Sequence, residues 1–397
     1  MGQLLSHPLT EKTIVYNEYE HFPANVSRHR LGHRSRQIEG KEEGKYAQFF
    51  NCVGSMQGYR LTQEDAHLVA NCDNSLDVKF YDPFQDAEEV LRISLFGVFD
   101  GHGGGECSQY VSSEQNPREG ISKWIKFAFE THEYGSVDVT PKSGRAFKHK
   151  FRTIEGLICQ ILKDAFLLQD RELYCHFAKE SCGSTAIVAL IINGEMLYVA
   201  NTGDSRCVLS AKGGGVKTLS FDHKPQHIGE LVRINDDGGT VSLGRVGGVL
   251  ALSRAFGDFQ FKTSVSYTNK AAGSSAGQKF VAPAQESQVT AEPDVLPHRI
   301  SYDRDEFLIL ACDGIWDLYS NKNLVQFIKY HLTLGQKLDD IVTKLLEHGI
   351  NSADSNTGVG FDNMTIIIIA LNRPGESLAQ WYAKMKTRLE REKGLIA

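Results

Sequence analysis

At 397 residues, 41% of them hydrophobic and 23% charged, the chain has the composition of a globular protein with room for one large domain or two ordinary ones. A formal net charge of −6 leaves no basic footprint and argues against a nucleic-acid partner. No apolar run approaches the ~20 residues of a membrane-spanning helix, no secretory signal is visible, and eight cysteines without a C-x-x-C pair read as reduced core thiols of an intracellular protein.

In chain order, Met1-Gly2-Gln3-Leu4-Leu5-Ser6 fits the pattern for N-myristoylation at Gly2. One acyl chain implies only weak, reversible membrane contact. Residues 7 to about 48 are polar and without period, which predicts an N-terminal arm and structure beginning near Phe49. In GSMQGYRLTQEDAHLVA (54–70), Arg60, Glu64, Asp65 and His67 fall close together, and the alternation around Asp65 suits a strand. Leu95, Val98 and Phe99 predict a buried strand that runs into Asp100 and a turn of four glycines broken only by His102. Glycine allows close approaches there that a side chain would block. Residues 112–152 are irregular and read as an insertion, and Thr153 to about Ala178 has the 3–4 apolar spacing of a helix.

Ser184–Ile192 and Glu195–Ala200 flank the hairpin signal Asn193-Gly194, and Arg206–Ser210 with Val216–Ser220 predicts a second hairpin. Hairpins in series argue for antiparallel sheets. A short helix near Gln226–Asn235 and glycine-broken strands follow, and residues 262–288 read as a surface loop. Glu306–Ala311 predicts a strand ending in Cys312-Asp313-Gly314, Ser320 caps a helix over Leu324–Leu332, and Leu338–His348 supplies another. Asp362-Asn363 precedes a last strand, Met364–Leu371, and Leu378 to about Lys393 is a charged terminal helix.

Asp65, Asp100, Asp313 and Asp362 share one context, a short polar or glycine break against an apolar strand. Any one alone reads as readily as a turn residue. Four aimed at one end of a sheet would repel one another unless a cation lay among them. Carboxylates, a backbone carbonyl and water suit Mg²⁺ or Mn²⁺ rather than Zn²⁺. Two such ions sharing a carboxylate lower the pKa of a water and stabilise charge on a phosphoryl oxygen. Arg60 has the planar fork that clamps a phosphate, and His102, beside the glycine turn, is placed to protonate a leaving oxygen.

The strings RLTQEDAH, FGVFDGHGG, CGSTA, NTGDSR, DHKP, LALSRAFGD, LACDGIWD and DNM run in order between about Val53 and Leu371. In that order and context the chain resembles the type 2C metal-dependent serine/threonine protein phosphatases. MGQLLS and the insertions are similar to those of fungal, yeast-like members. The resemblance implies an α+β fold, a central sandwich of two antiparallel β-sheets flanked by α-helices on both outer faces (four layers, αββα) in a single domain. Around a catalytic domain at 49–373, residues 1–48 would be the arm and 374–397 the charged helix.

The resemblance also implies roles. Asp100 would bridge two Mg²⁺ or Mn²⁺ ions, the Gly101 carbonyl would serve one, and Asp65, Asp313 and Asp362 would hold the other directly or through water. Glu64 would act from behind these ligands. Arg60 would bind the phosphate and His102 would be the general acid. Asp204 matches the acid of a weaker third ion shared with Asp313, and Asp317 would tune that site. Thr185, Ser253, Arg254, Asp258, His67, His223 and His227 read as structural, and Cys182, Cys207 and Cys312 as inert core thiols.

The activity implied is hydrolysis of phosphoserine and phosphothreonine in proteins by attack of a hydroxide bridged between two ions. Signalling kinases are one substrate class, and a monomer is expected. The location expected is cytoplasmic, with transient membrane contact or a nuclear pool as alternatives. Two other readings stay open: a catalytically silent binding scaffold with the same fold, and a two-metal hydrolase of phosphodiesters, which the acidic balance disfavours.

Overall fold

The computed structural model describes residues 4–17, 49–113, 120–131, 151–262 and 284–395. Gly2 and most of both insertions lie outside the described residues. One expectation is corrected at once: structure does not begin at Phe49. Leu4–Asn17 forms strand β1, which pairs antiparallel with β2 (Asn51–Arg60) at the edge of a sheet. An edge strand keeps much of its surface in water, so its residues read as polar, and Pro8 is tolerated only in such a place. Register shifts between Leu4, Leu9 and Lys12 break what alternation remains. Only Ile14 and Tyr16 pack against the main core, too few to stand out as a period.

The chain then lays down β3 (Ala66–Ala70), β4 (Leu76–Asp82), β5 (Ala87–Phe99) and the two-residue β6 (Gly101–His102). Helices α1 (Glu106–Ser112), α2 (Gly120–Thr131) and α3 (Ile154–Phe177) follow, the last capped by Thr153, whose hydroxyl accepts from the Gly156 N–H at 3.2 Å. After β7 (Gly183–Ser184), β8 (Ala186–Ile192) and β9 (Met196–Thr202) form the expected hairpin. Asn193 and Gly194 turn it with φ of 51° and 72°, the left-handed pair such a turn demands. Next come β10 (Arg206–Ala211), β11 (Gly215–Thr218), α4 (Ile228–Asp236), and the short β12 (Val241–Ser242), β13 (Arg245–Val246) and β14 (Phe256–Gly257). The chain closes through β15 (Asp294–Arg299), β16 (Asp305–Ala311), α5 (Asp313–Trp316), α6 (Asn321–Thr333), α7 (Leu338–Asn351), β17 (Met364–Ala370) and α8 (Leu378–Glu392).

One sheet runs in the order β1-β2-β17-β16-β10-β11. The other runs β15-β9-β8-β5-β3, with β4 also paired to β5, and every strand ladder among the described residues is antiparallel. Alternation assigns each side chain of a strand to a face. Phe96, Val98, Ile187, Ala189 and Ile191 face the first sheet's Val53, Leu310 and Ile367 in one core. The alternate residues Leu95, Phe99, Val188 and Leu190 pack outward on Ile125, Leu157, Ile161 and Phe166 of α2 and α3. On the far side, α6, α7 and α8 cover the first sheet with Leu324, Ile328, Leu345 and Trp381. The result is the expected α+β sandwich of four layers, and its covered sheets explain why β8 and β17 read as unbroken apolar runs.

Candidate active site

Register places the acids before any side chain is considered. Ala66 of β3 lies opposite Phe99 of β5, Val98 opposite Ile187 of β8, and Ala186 opposite Thr202 of β9. In the first sheet, Ala311 of β16 lies opposite Ile366 of β17 and Arg206 of β10, and Met364 opposite Met56 of β2. Asp65, Asp100 and Asp204 therefore leave one sheet, and Arg60, Asp313 and Asp362 the other, at the same end of the sandwich.

There the carboxylates press on one another. Asp65 is buried, and one of its oxygens has no hydrogen-bond partner. Burial, reinforced by Asp362, pushes its pKa up to about 7. Burial also raises Asp100 well above the carboxylate range, with Asp313, Asp65, Asp362 and Asp204 adding repulsion. Asp313 is raised by burial, then by Asp204, Asp362 and Asp317, and it shares a hydrogen bond with Asp100. An orphaned carboxylate oxygen inside a cluster held above its normal proton affinity is what a hard divalent cation fits.

Carboxylate oxygens of Asp65 and Asp100 and the Cys312 sulfur all lie within 4.8 Å of one another. Burial raises the Cys312 thiol, which accepts from the Thr365 N–H at 3.1 Å. It is a buried neutral thiol, as expected, though packed against the acids rather than remote from them. Gly101 pairs with Ser184 beside Asp100. The Asp100 N–H donates to the Thr185 hydroxyl at 3.2 Å, and that of Thr185 to the Asp100 carbonyl at 2.9 Å, so Thr185 braces the turn from the neighbouring strand.

Arg60 ends β2 half-buried, with Nη2 donating to Asp362 Oδ2 at 2.5 Å. Glu64 lies near enough to Asp362 and His102 to act on both charges. Asp204 is buried and takes the Lys224 ammonium in an ion pair, while Asp317 stands just past α5, its pKa raised by partial desolvation and by Asp204 against the opposing charge of Lys224. His223 is structural, accepting from the Gly203 N–H at 3.1 Å and meeting Asp294 at 3.1 Å. Arg60, Glu64, Asp65, Asp100, Gly101, His102, Asp204, Asp313, Asp317 and Asp362 are thus brought together.

Three participants escaped the sequence reading. Asn363 ties down the loop between Arg60 and Asp65: its Oδ1 accepts from the Glu64 N–H (3.0 Å), and its Nδ2 donates to the carbonyls of Gln57 (2.8 Å) and Thr62 (3.1 Å). A Cβ on Gly314 would stand less than 3.0 Å from the Asn363 carbonyl, so only glycine lets α5 start so close. Lys224 is the second. The third corrects an expectation: Asp258, assigned to the surrounding framework, meets His102 Nε2 at 2.7 Å. Its signal was the Gly-Asp pair of SRAFGD, which takes left-handed φ at both residues, 72° and 50°.

Comparison with known proteins agrees with this arrangement. A family model described as Protein phosphatase 2C matches residues 52–358. The chain is 59% identical to the Saccharomyces cerevisiae protein phosphatase 2C homolog 4 over the whole of both chains. It is 37% identical to the Schizosaccharomyces pombe protein phosphatase 2C homolog 2 over 87% of this chain and 79% of that one. In fold it is similar to the crystal structure of a phosphatase from Toxoplasma gondii, with a TM-score of 0.59 at 22% identity over 91% of this chain and 95% of that one. With a matched model covering most of its length and a relative this similar from end to end, the chain belongs to the protein phosphatase 2C family.

Proposed function

We infer that the protein is a metal-dependent serine/threonine protein phosphatase. The observation that carries this reading is the acid cluster: carboxylates from both sheets converge on a buried oxygen without a partner, with an arginine at the rim. Asp65, Asp100, Asp313, Asp362 and the Gly101 carbonyl would hold two Mg²⁺ or Mn²⁺ ions, with Asp204 and Asp317 beside a weaker third. Bound there, the ions supply an activated water and offset phosphoryl charge.

The chain's own residues do the rest. Arg60 exchanges Asp362 for the phosphate, whose oxygens match its planar fork. His102, one residue past Gly101, gives a proton to the serine or threonine oxygen as it leaves. A silent scaffold would be expected to lack one of these acids, and all are present.

Phosphate release from a phosphothreonine peptide is the test, run with Mn²⁺, with EDTA, and with Asp313→Ala. Release that requires the ion and falls at least ~10²-fold in the variant is expected, a barrier change of about 3 kcal/mol. Mn²⁺ should also raise the unfolding temperature of the wild type more than that of the variant. No release from peptide and aryl phosphate alike would leave the scaffold reading standing, and ion-independent release would overturn the metal-dependent mechanism.

A further inference from the structure

We propose that Asp258 is a positioning residue for the hydrolysis, one that fixes the His102 ring so that Nδ1 alone meets the leaving oxygen. The proposal rests on the phosphatase reading above. A three-stranded ribbon, β6-β7-β14, is what brings the two residues together: His102 lies opposite Gly183, and Gly183 opposite Gly257. Asp258 follows directly, with its N–H bonded to the Cys182 carbonyl at 3.1 Å. Its carboxylate is 1% exposed, and Oδ2 stands 2.7 Å from His102 Nε2.

The middle strand is built to let this pair form. A Cβ on Gly183 would lie less than 3.0 Å from both Asp258 Oδ2 and His102 Nε2, so any side chain there would stand between them. A buried carboxylate without a partner is costly, and among the described residues His102 is the side chain that Asp258 Oδ2 meets in an ion pair. With Nε2 engaged, Nδ1 is the ring nitrogen left for substrate. As the P–O bond to threonine Oγ breaks, that oxygen takes the Nδ1 proton of the imidazolium and leaves as the alcohol, and the neutral ring keeps its Nε2–H on Asp258. Water supplies the oxygen that replaces it on phosphorus.

A residue that serves proton donation matters when the leaving group is a poor one. Threonine leaves as a strong base and needs the proton, whereas p-nitrophenolate leaves without it. The experiment compares wild type, Asp258→Asn, His102→Ala and the double variant on a phosphothreonine peptide and on p-nitrophenyl phosphate, with Mn²⁺ binding followed by calorimetry. General acid catalysis contributes roughly 10²–10⁴-fold. In Asp258→Asn the loss of kcat on the peptide should therefore exceed the loss on the aryl ester by at least about 30-fold. Mn²⁺ affinity should hold, and the double variant should be no slower than His102→Ala.

Equal losses on both substrates, additive losses in the double variant, or loss of Mn²⁺ binding would each show a merely structural role and overturn the proposal. Wild type inactive on both substrates would instead remove the phosphatase reading on which it rests.

Discussion

Two glycines near the acids look alike in sequence and differ in what they make room for. A methyl group on Gly183 would press on the ends of two side chains, Asp258 and His102, which can swing aside. On Gly314 it would press on the Asn363 backbone carbonyl, which cannot move without dragging Asp362 and the start of β17. Overpacking a tight interior typically costs about 1–3 kcal/mol. Gly183→Ala should fall in the middle of that range or above it by urea unfolding, because the methyl separates His102 from the buried Asp258 carboxylate, and it should lose most peptide turnover. Gly314→Ala should fall at the upper end or beyond it. A Gly314 variant as stable as wild type would show that the contact between α5 and Asn363 yields more readily than this reasoning allows.

At the scale of elements, the described residues between β11 and β15 border the site with little apolar core of their own; Ile234, Val246, Ala255 and Val289 form a small separate cluster. Ion pairs do much of the fastening. Arg254 binds Glu230 of α4 and Asp294 of β15, Arg233 binds Glu230 and the Ser287 carbonyl, and His223 reaches Asp294 from beside Lys224. Burial would raise Glu230, but hydrogen bonds and charge from Arg254, then charge from Arg233, win and hold its pKa at about 2, below the ordinary 4.5. A depressed acid stabilises the folded state fully above its unfolded pKa and loses that contribution as pH falls through its folded one. The window is thus between pH 4.5 and about 2. Glu230→Gln takes from two half-buried arginines the buried carboxylate they share and should destabilise by about 3 kcal/mol at pH 7. Urea midpoints measured across that window should converge for wild type and variant as Glu230 protonates. A gap that stays constant from pH 7 to 2.5 would mean that the Glu230 charge does not hold α4 in place.

For the molecule as a whole, what was legible in the sequence follows from what repeats. The runs AIVALII and MTIIIIA announce strands covered on both faces, and wherever a strand end is legible so is the acid standing on it, which is how Asp65, Asp100, Asp313 and Asp362 stood out. Asp258 carries no such mark: its partner is 156 residues away, and the ribbon joining them has strands of two residues, too short for any period. Lys224 and Asn363 were hidden likewise, since their hydrogen bonds depend on register rather than pattern. Strand β1 was hidden by its edge position, and its removal gives a test at this scale. Without residues 1–17, β2 becomes the sheet edge, Ile14 and Tyr16 leave the core, and the hydroxyl bond between Tyr16 and Tyr382 (2.6 Å) is lost. Full burial of such side chains is worth about 1.5–3 kcal/mol each, partial burial less, and the entropy regained by freeing the strand offsets part of it. A net loss of about 2–4 kcal/mol in urea unfolding is expected. An exposed β2 edge should also make the truncated protein self-associate in light scattering. Because Leu4 pairs with Arg60, the truncation should raise KM for a phosphopeptide more than it lowers kcat. A truncated chain as stable and as monodisperse as the full one, with unchanged KM, would show that β1 only decorates the sheet; the expected losses would make it part of the frame that holds Arg60 at the site.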